Sequence, residues 1–400
     1  MGEKLTFEDR KQLYIDSVTF NHPKRILFNA YQMGWMYTDA GLTLDVAARD
    51  YYMSEYAMDT FMQKYPNVDA IGTASNGFRY HFRATDPLGG GAGYHVNGDQ
   101  MERGNVNAVF ENLMSPDDYD EFLNNFPALQ WKVFFNAFPD AKNMTPEQIA
   151  KAAQEVTFKN EARAKVNNKI RDKYGVLIPY GDAVGFSTAI DGFFNTYRGI
   201  KGLAMDLRRR RDTVYEVCEA LDEKRVNAAV AKVKALPNGH GVGIKNHYDG
   251  NIGALAHTIL NPKQIERLYL KPWKKYFDAM EQKDKSVYCN IEGGFANGPM
   301  GEFFNSYKKG TLCIAVEQDD PFEVRKKYPN ICIYGGLSVD VMGNGTVQEA
   351  VDLAKKAIDE LSGPEGGLYL SMNKMVSYNW DLRPDTLKAV SDFCASYELN

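Results

Sequence analysis

Apolar and polar residues alternate in blocks through the second half of the chain, and this pattern predicts parallel strands joined by helices. Three apolar runs lie between Ser286 and Asp340, in SVYCNIEGG, TLCIAVEQDD and NICIYGGLSVD. Each run ends in glycine or polar residues, and segments with helical spacing separate them. Glu292 and Glu317 end two of the runs. We expect both at the carboxyl ends of strands, where β/α barrels carry out their chemistry.

The same pattern continues less regularly through the rest of the chain. It predicts further strands at 24–30, 68–72, 175–179, 242–246 and 367–371. Ser115-Pro and Thr145-Pro are typical of helix starts, so we interpret residues from about 85 to 165 as a helical insertion. Close to eight strand–helix units remain, which favours an α/β fold, a (β/α)8 TIM barrel forming a single domain over residues 1–400. A doubly wound open sheet is the alternative, but no GxGxxG opens a helix after the first strand.

Composition excludes several function classes. The 400 residues carry a formal net charge of −5, which gives no general basic surface for nucleic acid. No apolar run reaches the length of a membrane span, so no membrane association is expected. The five cysteines are scattered and form no CxxC, which argues against a disulfide framework and favours a reducing, cytoplasmic location. The oligomeric state is left open, with a homodimer as one alternative.

Aromatic residues are abundant, with 24 Tyr and 22 Phe, and several fall in segments that read as loops. They suggest a pocket for a flat apolar ligand, to which His81 and Phe82 could contribute. Tyr180 and Asp182 follow the strand-like VLIP, where Tyr180 could donate a hydrogen bond to substrate. His247 is a candidate acid, base or metal ligand, and an ordinary hydrogen-bonded histidine is the alternative.

Four stretches of the chain resemble the uroporphyrinogen decarboxylase superfamily over roughly residues 175–400. They are LNPKQIERLYLKPWKKYFDAM, VYCNIEGG, YGGLSVDVMGNGTVQEAVDLAKKAID and GGLYLSMNKMVSYNWDLRPDTLKAV. The resemblance implies a TIM barrel and one of two activities, porphyrinogen decarboxylation or methyl transfer involving the cobalt of a separate corrinoid protein. The decarboxylases hold their substrate with an arginine-rich segment. The corresponding NAYQMGWMYTDAG has no arginine, which disfavours a polycarboxylate substrate.

The thiol-activating methyltransferases of this superfamily bind zinc through a His-x-Cys pair and a distant cysteine. The resemblance places Asn290 and Glu292 at the pair and Asn373 near the distant position, so the soft zinc ligands are absent and zinc is uncertain. Asn290 and Asn373 become candidate substrate-binding groups. Any metal would have to use Glu292 and Glu317.

The resemblance therefore implies the methyltransferase component of a corrinoid-dependent O-demethylase. Its substrate would be a small aromatic methyl ether and its partner a corrinoid (cobalamin) protein. Glu292 would protonate the leaving phenolate, with Glu317, His247 and Asp182 as further candidate catalytic residues. Three alternatives stay open: a decarboxylase-like lyase, a methyltransferase for another methyl donor, and a barrel that only binds a partner.

Overall fold

The chain forms an α/β fold around one curled, all-parallel sheet. The computed structural model describes residues 5–32, 34–44, 46, 50, 52–72, 78–80, 93–96, 107–109, 112–137, 142–376 and 378–399. The strands of the sheet within these residues are β1 (Phe28–Ala30), β2 (Ala70–Ile71), β3 (Val184–Gly185), β4 (Gly250–Ala254), β5 (Val287–Ile291), β6 (Leu312–Ala315), β7 (Cys332–Leu337) and β8 (Leu368–Met372). Their order is β2-β1-β8-β7-β6-β5-β4-β3, and neighbouring strands are parallel throughout.

The segment before β3 contacts both edges of this sheet. Leu177 forms a parallel bridge to Ala70 of β2, with backbone hydrogen bonds of 2.8 and 3.0 Å on its two sides. Val184, a few residues further on, pairs with Gly250 of β4. The arrangement is compatible with a TIM-like fold, in which the sheet curls and the helices lie outside it.

Helices follow most of the strands and pack on the outer face of the sheet. The α-helices are Phe7–Thr19, Trp35–Asp39, Met53–Lys64, Glu121–Asn124, Phe126–Ala137, Pro146–Tyr174, Ala189–Gly192, Gly199–Arg209, Arg211–Ala235, Pro262–Ile265, Lys271–Gln282, Pro299–Asn305, Pro321–Lys327, Val339–Asn344, Val347–Ala357 and Pro384–Ser396. Single 3₁₀ turns are Pro116–Asp118, Ala256–Ile259 and Asn379–Asp381, and π-helical turns are Phe193–Tyr197, Glu266–Leu270 and Ile358–Ser362. None of the described helices has the length and apolar character to cross a membrane.

The predicted helix starts have the local chemistry that the sequence indicated. Thr145 accepts a hydrogen bond of 3.3 Å from the Gln148 N–H, and the Gln148 side chain accepts one of 2.7 Å from the Thr145 N–H. This capping box begins the 29-residue helix Pro146–Tyr174. Ser115 begins the shorter turn Pro116–Asp118 with the same reciprocal pattern.

Two apolar cores lie on the two faces of the sheet. The larger one joins the outer face to the helices. The smaller one fills the inner face near the amino-terminal ends of the strands, and the helix Phe7–Thr19 closes it from below with Tyr14 and Val18. Its strand residues are Leu27, Ala70, Leu177, Cys313, Ala315, Cys332, Tyr334 and Tyr369. The carboxyl-terminal end of the inner face is left to polar side chains.

The strand predicted at 242–246 is wrong, because the strand in this part of the chain is β4, GNIGA. Its outward residues Ile252 and Ala254 are buried, whereas the inward Asn251 and Gly253 are exposed at the open end of the sheet. Glycine and asparagine have low strand propensity, so this segment carries little strand signal. The strand predicted at 175–179 is reduced to the single bridge at Leu177.

Within the described residues of the insertion predicted at about 85–165, the first part contains strands and the helices begin at 116. Strands 93–96 and 107–109 pair antiparallel, and 78–80 joins them in parallel, to form a small separate sheet. Helices occupy most of the described chain from 116 onward. The single domain over residues 1–400 stays a prediction.

Candidate functional site

The inner face of β5 carries a row of polar side chains toward the open end of the sheet. Tyr288, Asn290 and Glu292 alternate with the buried Cys289 and Ile291, so the row points inward. The Glu292 N–H donates to the Ala254 carbonyl at 3.0 Å, which extends the β4–β5 ladder past the end of β5. Glu292 therefore continues the row at the carboxyl-terminal mouth of the sheet.

The pKa of the Glu292 carboxyl group at this mouth is strongly raised. Its pKa is raised to about 7, mainly because surrounding protein atoms reduce its solvation and in smaller part because of the charges of Glu317 and Asp191. The side chain is exposed to solvent at the mouth, and no described residue forms a hydrogen bond with its carboxyl group. Near neutral pH the group can therefore both hold and release a proton.

Glu317 lies beside Glu292 at the end of the next strand. Its Oε2 accepts a hydrogen bond of 2.5 Å from the N–H of Gly293, which fixes the carboxylate against the loop after β5. Gly293 has φ +86°, a conformation that favours glycine and turns the chain immediately after Glu292. The turn and the carboxylate together hold the two glutamates at neighbouring strand ends.

Asp191 is buried behind the carboxyl-terminal end of the sheet and holds the loop after β4 in place. Its Oδ1 accepts hydrogen bonds of 2.9 Å from the N–H groups of Leu255 and Ala256, just beyond β4, and one of 2.6 Å from the Tyr269 hydroxyl. The side chain is buried, and Thr188 donates to its other oxygen at 2.7 Å. Asp191 therefore fixes the loop after β4 and adds negative charge near Glu292.

Asn373 links the ends of three strands. Its Nδ2 donates to the Glu317 carbonyl at 3.1 Å, and its Oδ1 accepts from the Val339 N–H at 3.1 Å. Its own N–H donates to the Leu337 carbonyl at 2.7 Å. The side chain holds the ends of β6, β7 and β8 together, so a role in substrate binding would have to share these contacts.

Tyrosine rings form the floor of the mouth. The Tyr334 ring lies 5.1 Å from Tyr288 and 5.7 Å from Tyr31, both edge-on. The Tyr334 hydroxyl accepts hydrogen bonds from Asn29 at 2.8 Å and Ser371 at 3.1 Å, and the Tyr288 hydroxyl lies 3.5 Å from Asn290 Oδ1. The inner face is therefore aromatic below and polar above, which suits a flat ring with a polar substituent.

The structure does not bring three of the predicted residues to this mouth. His247 precedes β4 and is buried at the amino-terminal end, 4.9 Å from the Tyr14 ring, where burial lowers its pKa to about 3. Asp182 accepts hydrogen bonds from the N–H groups of Lys245 and Asn246 at the same end. These residues lie opposite Glu292 because each one precedes its strand.

Tyr180 is placed with them. Its carbonyl accepts a 2.6 Å hydrogen bond from Asn246, and its ring packs 6.0 Å from Phe7 and 4.0 Å from the Arg171 guanidinium. Tyr180 and Asp182 lie between Leu177 and Val184, which pair with the sheet, and both contact Asn246 at the amino-terminal side. His81 and Phe82, the remaining predicted binding residues, lie outside the described residues.

Two cavities occupy opposite ends of the sheet. One of about 270 Å³ lies among the loops after β4, β5 and β6, next to the mouth. A larger one of about 1130 Å³ lies at the amino-terminal end, lined by Arg10, Arg25 and Asp69 among others. Asp69 accepts hydrogen bonds from both arginines, so these buried charges are already paired. The buried charges of the larger cavity therefore serve to pair with one another.

Metal binding finds little support in this donor set. Within the part of the chain that the structure describes, no three His, Cys, Asp or Glu side chains are grouped to hold a metal ion. Asn290 and Asn373 supply only amide groups, and Glu292 supplies a single carboxylate, whereas the usual zinc ligands are cysteine, histidine, aspartate and glutamate in sets of three or four. A zinc ion bound by Glu292 and Glu317 would lack further protein ligands among the described residues.

Comparison with known proteins identifies no family. No protein-family model matches the chain, and no curated protein matches it either. The superfamily resemblance therefore stays a prediction that rests on the motifs.

Sequence reasoning missed three residues of this region: Asp191, His257 and Asp319. Asp191 follows β3, which is only two residues long and gives no strand signal. Asp319 lies within EQDD, a run that resembles an ordinary solvated loop. A signal was present only for Asp319, because it stands two residues after Glu317 at the same strand end.

Proposed function

We propose that the chain is the methyltransferase component of a corrinoid-dependent O-demethylase. It would move the methyl group of a methoxylated aromatic to the cobalt of a separate corrinoid protein. The observation that carries the proposal is Glu292, a carboxyl group with a pKa of about 7 at the mouth of an aromatic-floored pocket. The corrinoid, brought by its carrier protein, supplies the cobalt(I) nucleophile that accepts the methyl group.

Cleavage of an aryl methyl ether releases a phenolate, which is a poor leaving group unless it is protonated. A general acid works best when its pKa is close to the working pH, because it must be protonated and still give up its proton readily. Glu292 meets this condition. In the proposed reaction it donates its proton to the ether oxygen as the bond to the methyl carbon breaks.

Glu317 would keep that proton available. Its charge raises the pKa of Glu292, and its hydrogen bond from Gly293 holds it in place. The tyrosine floor would receive the flat ring, with Asn290 at the edge as a hydrogen-bonding group. The substrate would be oriented by packing of its ring on Tyr288 and Tyr334 below and by contact of its polar substituents with the strand ends above.

An open mouth supports a partner that brings the methyl acceptor. Asn251, Gly253 and Glu292 are exposed at the carboxyl-terminal end of the inner face, whereas Tyr14 closes the amino-terminal end. We also infer that the sheet closes as a complete (β/α)8 barrel, since the segment 177–184 touches both of its edges. In such barrels the strand carboxyl ends form the accessible active face.

Zinc does not fit this mouth, because its oxygen and amide groups form no three-residue ligand group within the described chain. The proposed reaction therefore uses a proton from Glu292 and no metal-bound step. A cytoplasmic location stays an expectation from the sequence, and the oligomeric state stays open with a homodimer as one alternative.

The decisive experiment supplies the purified chain with a reduced corrinoid protein and a panel of methoxylated aromatics. We expect the free phenol and the methylated corrinoid product to appear in equal amounts. Glu292→Gln keeps the size of the side chain and removes the proton, so turnover should fall by about 10²–10⁴-fold, the usual contribution of a general acid. Glu302→Gln, a change at an exposed glutamate on the helix Pro299–Asn305, is the matched control and should leave turnover unchanged.

Other outcomes would redirect the assignment. If methanol, methylamines or methyl thiols donate a methyl group and no aryl ether does, methyl transfer survives and the O-demethylase proposal is wrong. Release of carbon dioxide from a porphyrinogen would favour the lyase alternative. Binding of a corrinoid protein with no methyl transfer from any donor would leave a partner-binding role alone.

A further inference from the structure

The small cavity beside the mouth has a mixed lining that suits a substituted ring. Its apolar walls include Ile265, Phe295 and Met300, and its polar groups include His257 and Asp319. The volume of about 270 Å³ is sufficient for one small aromatic molecule. None of these residues takes part in the proton transfer proposed above.

His257, one of the lining residues, has a hydrogen-bond acceptor with no partner among the described residues. Its ring is 5% exposed, and Nε2 lies 3.3 Å from the Gly294 carbonyl oxygen. A carbonyl only accepts hydrogen bonds, so Nε2 carries the hydrogen and Nδ1 of the neutral ring is an acceptor. Burial lowers the pKa of His257, which favours this neutral form. Nδ1 is buried and no described group bonds to it.

Asp319 adds a second acceptor. Its Oδ2 accepts hydrogen bonds of 2.7 and 3.1 Å from the N–H groups of Phe295 and Ala296, which fix the side chain beside Gly294. Among the described residues nothing donates to its Oδ1. Asp319 is half-buried, so the costly buried acceptor is Nδ1 of His257, and a ligand that brings a donor gains more there than one that brings only acceptors.

The cavity also adjoins the proposed reaction centre. Gly294 and Asp319 each lie two residues beyond Glu292 and Glu317. The charge of Asp191 acts on both Glu292 and His257, so the two groups share one neighbourhood.

We propose that this cavity binds a hydroxyl group carried by an aromatic ring, which donates its hydrogen bond to Nδ1 of His257. That the ring belongs to the methyl-ether substrate rests on the proposed function; the binding itself does not. The two acceptors, His257 Nδ1 and the Asp319 carboxylate, favour hydroxylated rings over carboxylated ones, since a carboxylate would meet the Asp319 charge and leave Nδ1 unpaired.

The test measures binding of phenol, anisole and benzoate to the whole chain at neutral pH, with no corrinoid present. Calorimetry should show phenol binding at least about tenfold tighter than the other two, the difference expected when a buried acceptor gains a donor. In the unaltered protein, phenol should also shift the Nδ1 nitrogen resonance of His257. Equal affinities, or a nitrogen resonance that does not move, would overturn the proposal.

Two substitutions of His257 distinguish loss of the Nδ1 acceptor from a general disturbance of the fold. His257→Gln can still donate to the Gly294 carbonyl but has no acceptor at the Nδ1 position, so the preference for phenol should disappear. His257→Asn places an amide oxygen near the Nδ1 position and should retain most of the preference. His240→Gln, at the amino-terminal end, is the matched control and should bind like the parent. A phenol preference that persists in His257→Gln would contradict the assignment.

The outcomes distinguish this inference from the function on which it partly rests. A His257-dependent phenol preference without methyl transfer would keep the cavity and reject the O-demethylase. Methyl transfer that proceeds equally well from hydroxylated and carboxylated ethers would keep the O-demethylase and reject the cavity.

Discussion

The perturbed carboxyl group of Glu292 predicts a pH-dependent stability that requires no knowledge of the substrate. Its pKa is about 7 in the folded protein and near the ordinary 4.5 when unfolded. Between these values the folded state binds more protons than the unfolded state, so stability falls as pH rises from about 4.5 to about 7. Glu292→Gln removes this proton, and the variant should therefore gain stability relative to the parent over that window.

The size of the effect follows from the same shift. A fully buried group with this change would account for about 3 kcal/mol. Glu292 is exposed at the mouth, and solvent screening reduces the expected difference to about 1 kcal/mol. For a chain of this size that corresponds to an increase of about 1–2 °C in Tm. The gain should be near zero at pH 4.5 and complete above pH 7.

Thermal unfolding followed by circular dichroism between pH 4.5 and pH 8 measures this difference directly. Glu302→Gln controls for the loss of one negative charge elsewhere on the surface. Glu317→Gln removes the charge that is the second cause of the raised pKa, so it should move the midpoint of the parent's pH dependence to lower pH. A stability difference that stays constant across the whole range would refute the assigned pKa of Glu292.

Two further predictions concern the scaffold. Asp69→Asn leaves two buried arginines without their carboxylate, so it should lower the free energy of unfolding in denaturant by about 3–5 kcal/mol. The control Asp392→Asn removes a surface ion pair and should lower it by under about 1 kcal/mol. Equal effects of the two changes would mean that the buried pairs contribute little. Gly301→Ala places a methyl group 2.3 Å from the buried Tyr328 ring and should lower the free energy of unfolding by about 1–3 kcal/mol. The control is Gly298→Ala, whose methyl group would lie 3.7 Å from its nearest atom and should leave stability unchanged. A Gly301→Ala variant as stable as the parent would show that this contact relaxes freely.

The second half of the fold could be predicted from sequence because β6, β7 and β8 are buried on both faces and β5 is buried on its outer face. β5, β6, β7 and β8 appear as apolar runs, and their predicted positions agree with the structure to within a few residues. Glu292 and Glu317 were expected at strand ends for the same reason, and the structure places both there. Their catalytic roles stay predictions.

The strands before β5 were harder to predict because strands that are short, or that face the open mouth, lack a run of apolar residues. β2 and β3 are two residues long, and β4 presents Asn251 and Gly253 to the open mouth. Without β4 in its true position, His247 appeared to follow a strand, whereas it precedes one. A shift of a few residues along a parallel strand therefore moved a candidate from one end of the sheet to the other.

The charged residues at the two ends of the sheet differ in how they are paired. At the amino-terminal end, the Asp69 carboxylate accepts hydrogen bonds from Arg10, Arg25 and the Phe28 N–H, so its negative charge is paired with two arginines. At the carboxyl-terminal end, Glu292 has no hydrogen-bond partner among the described residues and its pKa is raised rather than lowered. Stabilised ions lower the energy of the folded state, whereas a proton held on an unpaired carboxyl group is available for transfer. The raised pKa of Glu292, its position at a strand end and the tyrosine floor beneath it together support the proposal that chemistry takes place at the mouth.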